Sequence, residues 1–342
     1  MLPNHRLRAA AVVATAAGLL LGLTTTPAAA ETTAGIATPS CCVSETIALG
    51  ADVYALDQTP PGEGTEAATL LRIDPSTNTI TGSVSMLNGP PSGNALDVSS
   101  MAAAAGSIWV VAYFENEVLR VDPNKMTVSA AISVGRSPSS IVSDGHSLWV
   151  ALNNDRSVIR IDPASNRVVQ TVHVGSKDTS DSPWQLAYDG SQLLASLPNS
   201  GRVVRIDPAS GRVHYDNVGF DAAACAHLLP APGGYWLDDT ECAAQYYRWD
   251  AHRGRISVTL DPTSDVRHDW GAVVANNALY TGEFECDDNG CYQGHLVKRD
   301  LTTGAEITQQ DVGIEAFLPH FAAGSFWAAD FDISTLNRVA NF

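Results

Sequence analysis

Basic residues are scarce. Only 20 Lys and Arg face 37 Asp and Glu among 342 residues, a formal charge of −17. No basic stripe runs through the chain, and a field of this sign repels phosphate backbones, which excludes nucleic acid as a partner. There is no Cys-x-x-Cys pair, so a structural zinc site of the usual spacing is absent. Neither a nucleophile elbow nor a phosphate-binding glycine loop occurs, and no pairing nominates a Ser or Cys nucleophile. Past residue 30 no apolar run approaches the roughly 20 residues that span a bilayer. No linker or low-complexity stretch divides what remains, which reads as one domain over 31–342.

What is present begins with an export signal. Arg6 and Arg8 form a basic start, Ala9–Leu23 is an apolar run broken by Thr15 and two glycines, and Pro27-Ala28-Ala29-Ala30 offers a cleavage pattern before Glu31. Arg6-Leu7-Arg8 is not a twin-arginine pair, and Pro39-Ser40-Cys41 lacks the small residues of a lipoprotein site. The expectation is a signal peptide over 1–30, cleaved from a secreted bacterial protein that works as a monomer. Cleavage removes two arginines and no acid, so 37 acidic residues face 18 basic ones, a charge of −19. All six cysteines follow the signal, in a compartment where disulfides persist. Local pairing predicts Cys225–Cys242 and Cys286–Cys291. That leaves Cys41 with Cys42, about 3.8 Å apart at Cα and strained as a ring, or with another pairing or as free thiols.

Repetition sets the fold. Leu71-Arg72-Ile73-Asp74-Pro75 recurs at Leu119–Pro123, Ile159–Pro163 and Val204–Pro208, with weaker copies ending at Asp250 and Asp300 and a relic at Asn337–Ala340. The Asp spacings of 48, 40, 45, 43 and 50 are blade-sized. Apolar residues flank each Arg with the period of a half-buried strand. The Asp caps backbone amides and the Pro sets a turn. Asn78, Asn166, Gly211, Gly254 and Gly304 then close a hairpin in the left-handed region, Met126 being the exception in type. Ahead of each copy lies a strand with one bulky residue, as in Ser107-Ile108-Trp109-Val110, sized to fill the gap between neighbouring sheets. Each repeat is therefore a four-stranded antiparallel blade, and the fold is an all-β, seven-bladed propeller. The last repeat lacks a fourth strand, and Thr32–Thr38 is predicted to supply it beside Leu336–Ala340, closing the ring.

The Trp-Val-Ala strand followed by Arg-Ile-Asp-Pro resembles the extracytoplasmic YVTN and virginiamycin B lyase-like propellers, over nearly the whole mature chain. The resemblance implies this scaffold, which carries lyases, sensor domains and binding modules alike. In the lyase group an acid follows the second-strand aromatic by three residues. Asp57, Asp239, Glu283 and Asp330 keep it, whereas blades two to four have Ala112, Leu152 and Leu197.

Turns on one face of the disc are short. The variable connections, with insertions at Gln58–Ala68, Asp239–Gln245 and Glu283–Gly294, gather on the other, the usual binding side of a repeat fold. There, His227, His268 and His320 on inner strands meet Asp239, Glu283 and Asp330. Two readings stay open: loop acids and wall histidines of an acidic protein, or a His/carboxylate site at the channel mouth of blades five to seven. Carboxylates suit calcium or magnesium, and imidazole shifts the preference to zinc or manganese. Trp184 and Trp270 either stack a sugar or aromatic ligand or pack the core. The chain then reads as an extracellular module binding a small molecule, glycan or protein, or as a metal-dependent lyase or hydrolase on the same face.

Overall fold

The structure is a computed structural model of the chain. It describes all residues except 1–31, 41, 59–67, 87–99, 176–180, 220–226, 240–244, 262–266, 288–289, 314–316, 331–333 and 341, and omits the side chains of 32–34, 267–270, 290 and 317.

The Asp turns fold as their composition requires. Asp207 accepts the amides of Ala209 at 2.9 Å and Ser210 at 3.1 Å, and Asp300 those of Thr302 at 3.0 Å and Thr303 at 2.8 Å. Backbone bonds from Ser210, Arg253 and Thr303 lead the causes that hold Asp207, Asp250 and Asp300 below the ordinary carboxylate range. The hairpin-closing residue has positive φ even where it is not Asn or Gly: Met126 sits at 50°, beside 53° for Asn78 and 70° for Gly211. Turn geometry overrides the preference of the residue there.

Each such turn joins the third and fourth strands of a blade. Seven four-stranded antiparallel sheets result, as the repeat predicts. Second strands such as Ser107–Ala112 are buried throughout, while outer strands such as Thr127–Ser133 alternate towards solvent. The bulky second-strand residue reaches the next blade: Trp109 packs with Ile141 and Val150, and Trp327 with Val53 and Leu71. Directly across the ladder stands the repeat's cation. Arg120 lies 4.8 Å over Trp109, Arg160 5.7 Å over Trp149, Lys298 5.8 Å over Tyr280 and Arg338 5.8 Å over Trp327.

The same guanidinium latches blades together. Arg72 Nη1 donates to the Pro123 carbonyl at 3.1 Å, and Arg120 Nη1 to that of Pro163 at 3.0 Å. Arg338 of blade seven reaches the Pro75 carbonyl and Asn78 Oδ1 of blade one. So blades one, two and seven each give a cation to the blade that follows. Charge-assisted bonds of this kind contribute about 1.5–3 kcal/mol each where partly buried.

Closure follows the expected scheme. Thr32–Ala37 pairs antiparallel with Thr335–Ala340, Ile36 opposite Leu336 and Gly35 opposite Asn337. Gly35 permits the approach, since a Cβ there would stand 2.5 Å from Thr335 Cγ2. One expectation is corrected. Glu283–Gly294 is not a loop insertion but a prolongation of the second and third strands of blade six, Ala278–Asp287 and Gly290–Asp300, which stay paired to Asp287 and Gly290. Its described residues carry ladder pairs between the strands.

Candidate ligand site on the loop-rich face

Three residues beyond an aromatic that faces the next blade, a strand points its side chain the other way, towards the chain entering its own blade. Asp57, Asp239, Glu283 and Asp330 occupy that place and are 0, 3, 0 and 0% exposed. A buried carboxylate must be paired, and the recorded partners differ from blade to blade. Asp57 Oδ2 accepts the Ser40 amide at 2.9 Å on the link into blade one. Asp330 Oδ2 stands against Gly313, on the link into blade seven, where Asn337 Nδ2 donates to the Val312 carbonyl at 3.1 Å. Glu283 Oε1 accepts the Thr281 hydroxyl at 2.7 Å and an Arg299 amino group. The Asp239 amide donates to the Gln245 carbonyl at 3.0 Å, tying off the connection between them. These acids are buried in or just past the second strands of blades five, six, seven and one. Burial pushes Asp57 up to about 6 against the Ser40 bonds, and its Oδ1 has no hydrogen-bond partner among the described residues.

The inner strands carry a second series. Ser100 Oγ accepts the Ile141 amide and Ser140 Oγ the Leu186 amide, each at 3.1 Å from the next blade. His227, opposite Asp238, holds the same place in blade five, as the alignment with Ser140 predicts. In blade one the place belongs to Glu45, whose Oε2 accepts the Met101 amide at 2.6 Å. Burial raises Glu45 to about 8, against that bond. The sequence reading passed over Glu45, although aligning it with Ser100 and Ser140 would have found it. His320 pairs with Trp327, which puts it where Val142 and Leu229 stand in their blades. Burial at this apolar seam position lowers it to about 4. The Leu318 backbone bond opposes the shift and the nearby His227 adds to it.

His268 lies within the strand Arg267–Ala275, opposite Phe284. Its side chain and that of Trp270 are outside the described residues. Trp184 is half-buried at the inner edge of blade four, its carbonyl accepting Ser139 Oγ of blade three at 2.8 Å. Among the described residues no three His, Cys, Asp or Glu side chains are grouped to hold a metal ion. A buried His295, unnoticed in the sequence, meets Asp311 Oδ1 at 2.9 Å through Nδ1 and Glu285 Oε1 at 3.5 Å through Nε2. Beside it, Cys286 and Cys291 form the expected disulfide across the prolonged hairpin, with Tyr292 exposed next to it. Cys42 is also disulfide-bonded, while Cys41, Cys225 and Cys242 lie outside the described residues. No helix among the described residues is long and apolar enough to cross a membrane.

No protein-family model matches the sequence, and no curated protein matches it. Solved structures match in shape. U3-55K superposes with a TM-score of 0.69 at 10% identity, covering 90% of this chain and 98% of the other. A streptogramin B lyase gives 0.61 at 14% identity over 90% and 96%, and the hydrazine synthase of Kuenenia stuttgartiensis 0.60 at 15% over 90% and 97%. At these identities the likeness is one of fold. The chain shares the scaffold of the virginiamycin B lyase-like propellers, a scaffold consistent with ligand binding or protein interaction.

Proposed function

We propose that this protein is exported, loses residues 1–30, and serves outside the cell as a binding or sensing module. Its ligand, a small molecule or glycan, sits over the channel mouth at blades five to seven. The observation that carries the reading is the asymmetry of the ring. Blades two to four end their second strands in Ala112, Leu152 and Leu197, whereas blades five, six, seven and one bury a carboxylate there. Burying four acids is costly, and they fall in one sector of the ring only. With His320 held neutral and Glu45 retaining its proton up to about pH 8, the inner wall there also suits an uncharged polar ligand. In this reading His227 touches the ligand, while Asp239, Glu283 and Asp330 hold the loops.

A glycan and small-molecule array with secreted protein tests it, with calcium, magnesium and zinc added singly to the metal-free protein. We expect specific hits that are lost in His227→Ala and kept in Tyr215→Ala, on an outer strand. Hits insensitive to His227→Ala would move the site elsewhere. A stoichiometric metal with no array hit would replace this reading by a metal-dependent lyase or hydrolase.

A further inference from the structure

Five blades carry a bulge where the outer strand follows the Asp turn, and the bulged residue divides them. In blades one, two and five it is Thr81, Ser129 and Ser257, whose hydroxyls donate to the carbonyls of Arg72, Arg120 and Arg248 at 3.3, 3.0 and 3.1 Å. Blades three and six put Val169 and Ile307 there, 56 and 58% exposed, the most exposed large apolar side chains among the described residues. Ile307 stands between acids, on a strand that begins at Glu306 and ends at Asp311. Val169 has apolar company instead. Val168 beside it is exposed, and so are Val213 and Tyr215 on the outer strand of blade four. The two strands are neighbours: a Cβ on Gly211 would meet Gln170 Nε2 at 2.7 Å, and the Tyr215 hydroxyl donates to the Val174 carbonyl at 3.1 Å. On its other side, Val168 walls a groove of about 600 Å³ with Ala130, Ala131 and Ile132 of blade two. Ala131 and Val168 are exposed, so a side chain from outside reaches these walls with no rearrangement.

Charge sets the same rim apart. Residues 100–217, which make blades two to four, hold ten Lys and Arg against eleven Asp and Glu, whereas the rest of the chain holds ten against 26. The outer strands Thr127–Ser133 and Arg167–His173 contain no acid. At the turns of this rim Lys125 and Arg212 are matched by Asp122 and Asp207, at 3.3 and 3.9 Å.

We propose that this rim is an interface with a second copy of the chain, related by a two-fold axis that sets Val169 of each copy into the groove of the other. A knob beside a groove is self-complementary under such an axis. Two chains of charge −17 repel where acid meets acid, and on this rim they meet on near-neutral ground. A basic partner would be drawn to the acidic sector instead. The bulge hinders edge-to-edge strand pairing, so side chains make the contact. The rim lies on the outer wall of the ring, and the contact is independent of the channel-mouth reading.

Sedimentation velocity of the purified protein, from micromolar to submillimolar concentration, tests it. The expected result is a monomer–dimer equilibrium that reverses on dilution and forms no larger species. It should tighten about three- to tenfold between about 0.05 and about 0.5 M salt, as the like charges are screened. Val169→Asp brings two acids face to face and should weaken the dimer at least about tenfold, with the melting temperature unchanged because the site is exposed. Ala131→Glu, in the groove, should do the same, and decides if Val169→Asp melts earlier. Ile307→Asp, equally exposed at the same place in blade six, should leave the dimer intact. A monomer at every concentration in high salt, oligomers growing beyond the dimer, a dimer undiminished by Val169→Asp and Ala131→Glu, or equal loss in Ile307→Asp would each overturn the proposal.

Discussion

Glu45 and His320 stand on the inner strands of adjacent blades and respond to pH in opposite senses. Glu45 titrates higher folded than unfolded, about 8 against 4.5, so its contribution is present below 4.5 and is lost as pH rises towards 8. His320 titrates lower, about 4 against 6.5, so its contribution is present above 6.5 and is lost as pH falls through 4. The turn acids Asp207, Asp250 and Asp300 side with His320, since depressed carboxylates stabilise above their unfolded values. Glu45→Gln keeps an acceptor for the Met101 amide and removes the charge. The melting temperature of this variant should exceed that of the parent at pH 8, by the equivalent of ~1–3 kcal/mol, with the gap closing near pH 4.5. Thermal melts across that range check it, and a gap independent of pH would mean that Glu45 is charged in the fold.

At the scale of strands, the hairpin of Ala278–Asp287 and Gly290–Asp300 outreaches every other in the molecule's described sheets, and Cys286–Cys291 ties its end. A closed loop of six residues stabilises by about 2 kcal/mol through the unfolded chain. The double variant Cys286→Ser/Cys291→Ser should lose no more than that. Its faster amide exchange should be confined to 283–295, and exchange spreading into the rest of blade six would show the bond supporting the whole sheet. What could be read from the sequence divides on locality. The Asp turns, the aromatic strands and this disulfide rest on residues within a few positions of one another. Met126 at positive φ was not legible, because the turn around it, not its own preference, sets the angle. Nor was the place of His320: the ladder shifts between Phe317 and His320 around Leu318 at φ 44°, and one slipped residue turns a side chain to the other face. The spacing of Asp57, Asp239, Glu283 and Asp330 was plain in the sequence. Their burial was not, because it depends on partners distant in sequence, as Ser40 is from Asp57 and Arg299 from Glu283.

Over the whole molecule, the ring of blades has one joint made from both ends of the sheet sequence. Arg338 crosses that joint to Pro75, and Thr32–Ala37 covers the outer edge of blade seven. Gly35→Val forces a side chain against Thr335, whose branched Cβ has little room to yield. It should lower the melting temperature, and deletion of 31–39 should lower it further and produce oligomers by exposing the strand edge. Calorimetry with light scattering reads both, and an unchanged melt in the deletion would show the joint to be dispensable. The closing strand also fixes an order in time. Thr32 finds Val339 across 307 positions, the longest-range pairing in the fold, and pairings so distant in sequence form late because the loop must be closed before they repay it. A chain delivered from its first residue onwards therefore holds its opening strand unpaired until the last blade has arrived. During that wait, the seat beside Thr335–Ala340 is open to the same strand of another copy. Exchange of that strand between two copies joins them with no contact that one copy alone does not make.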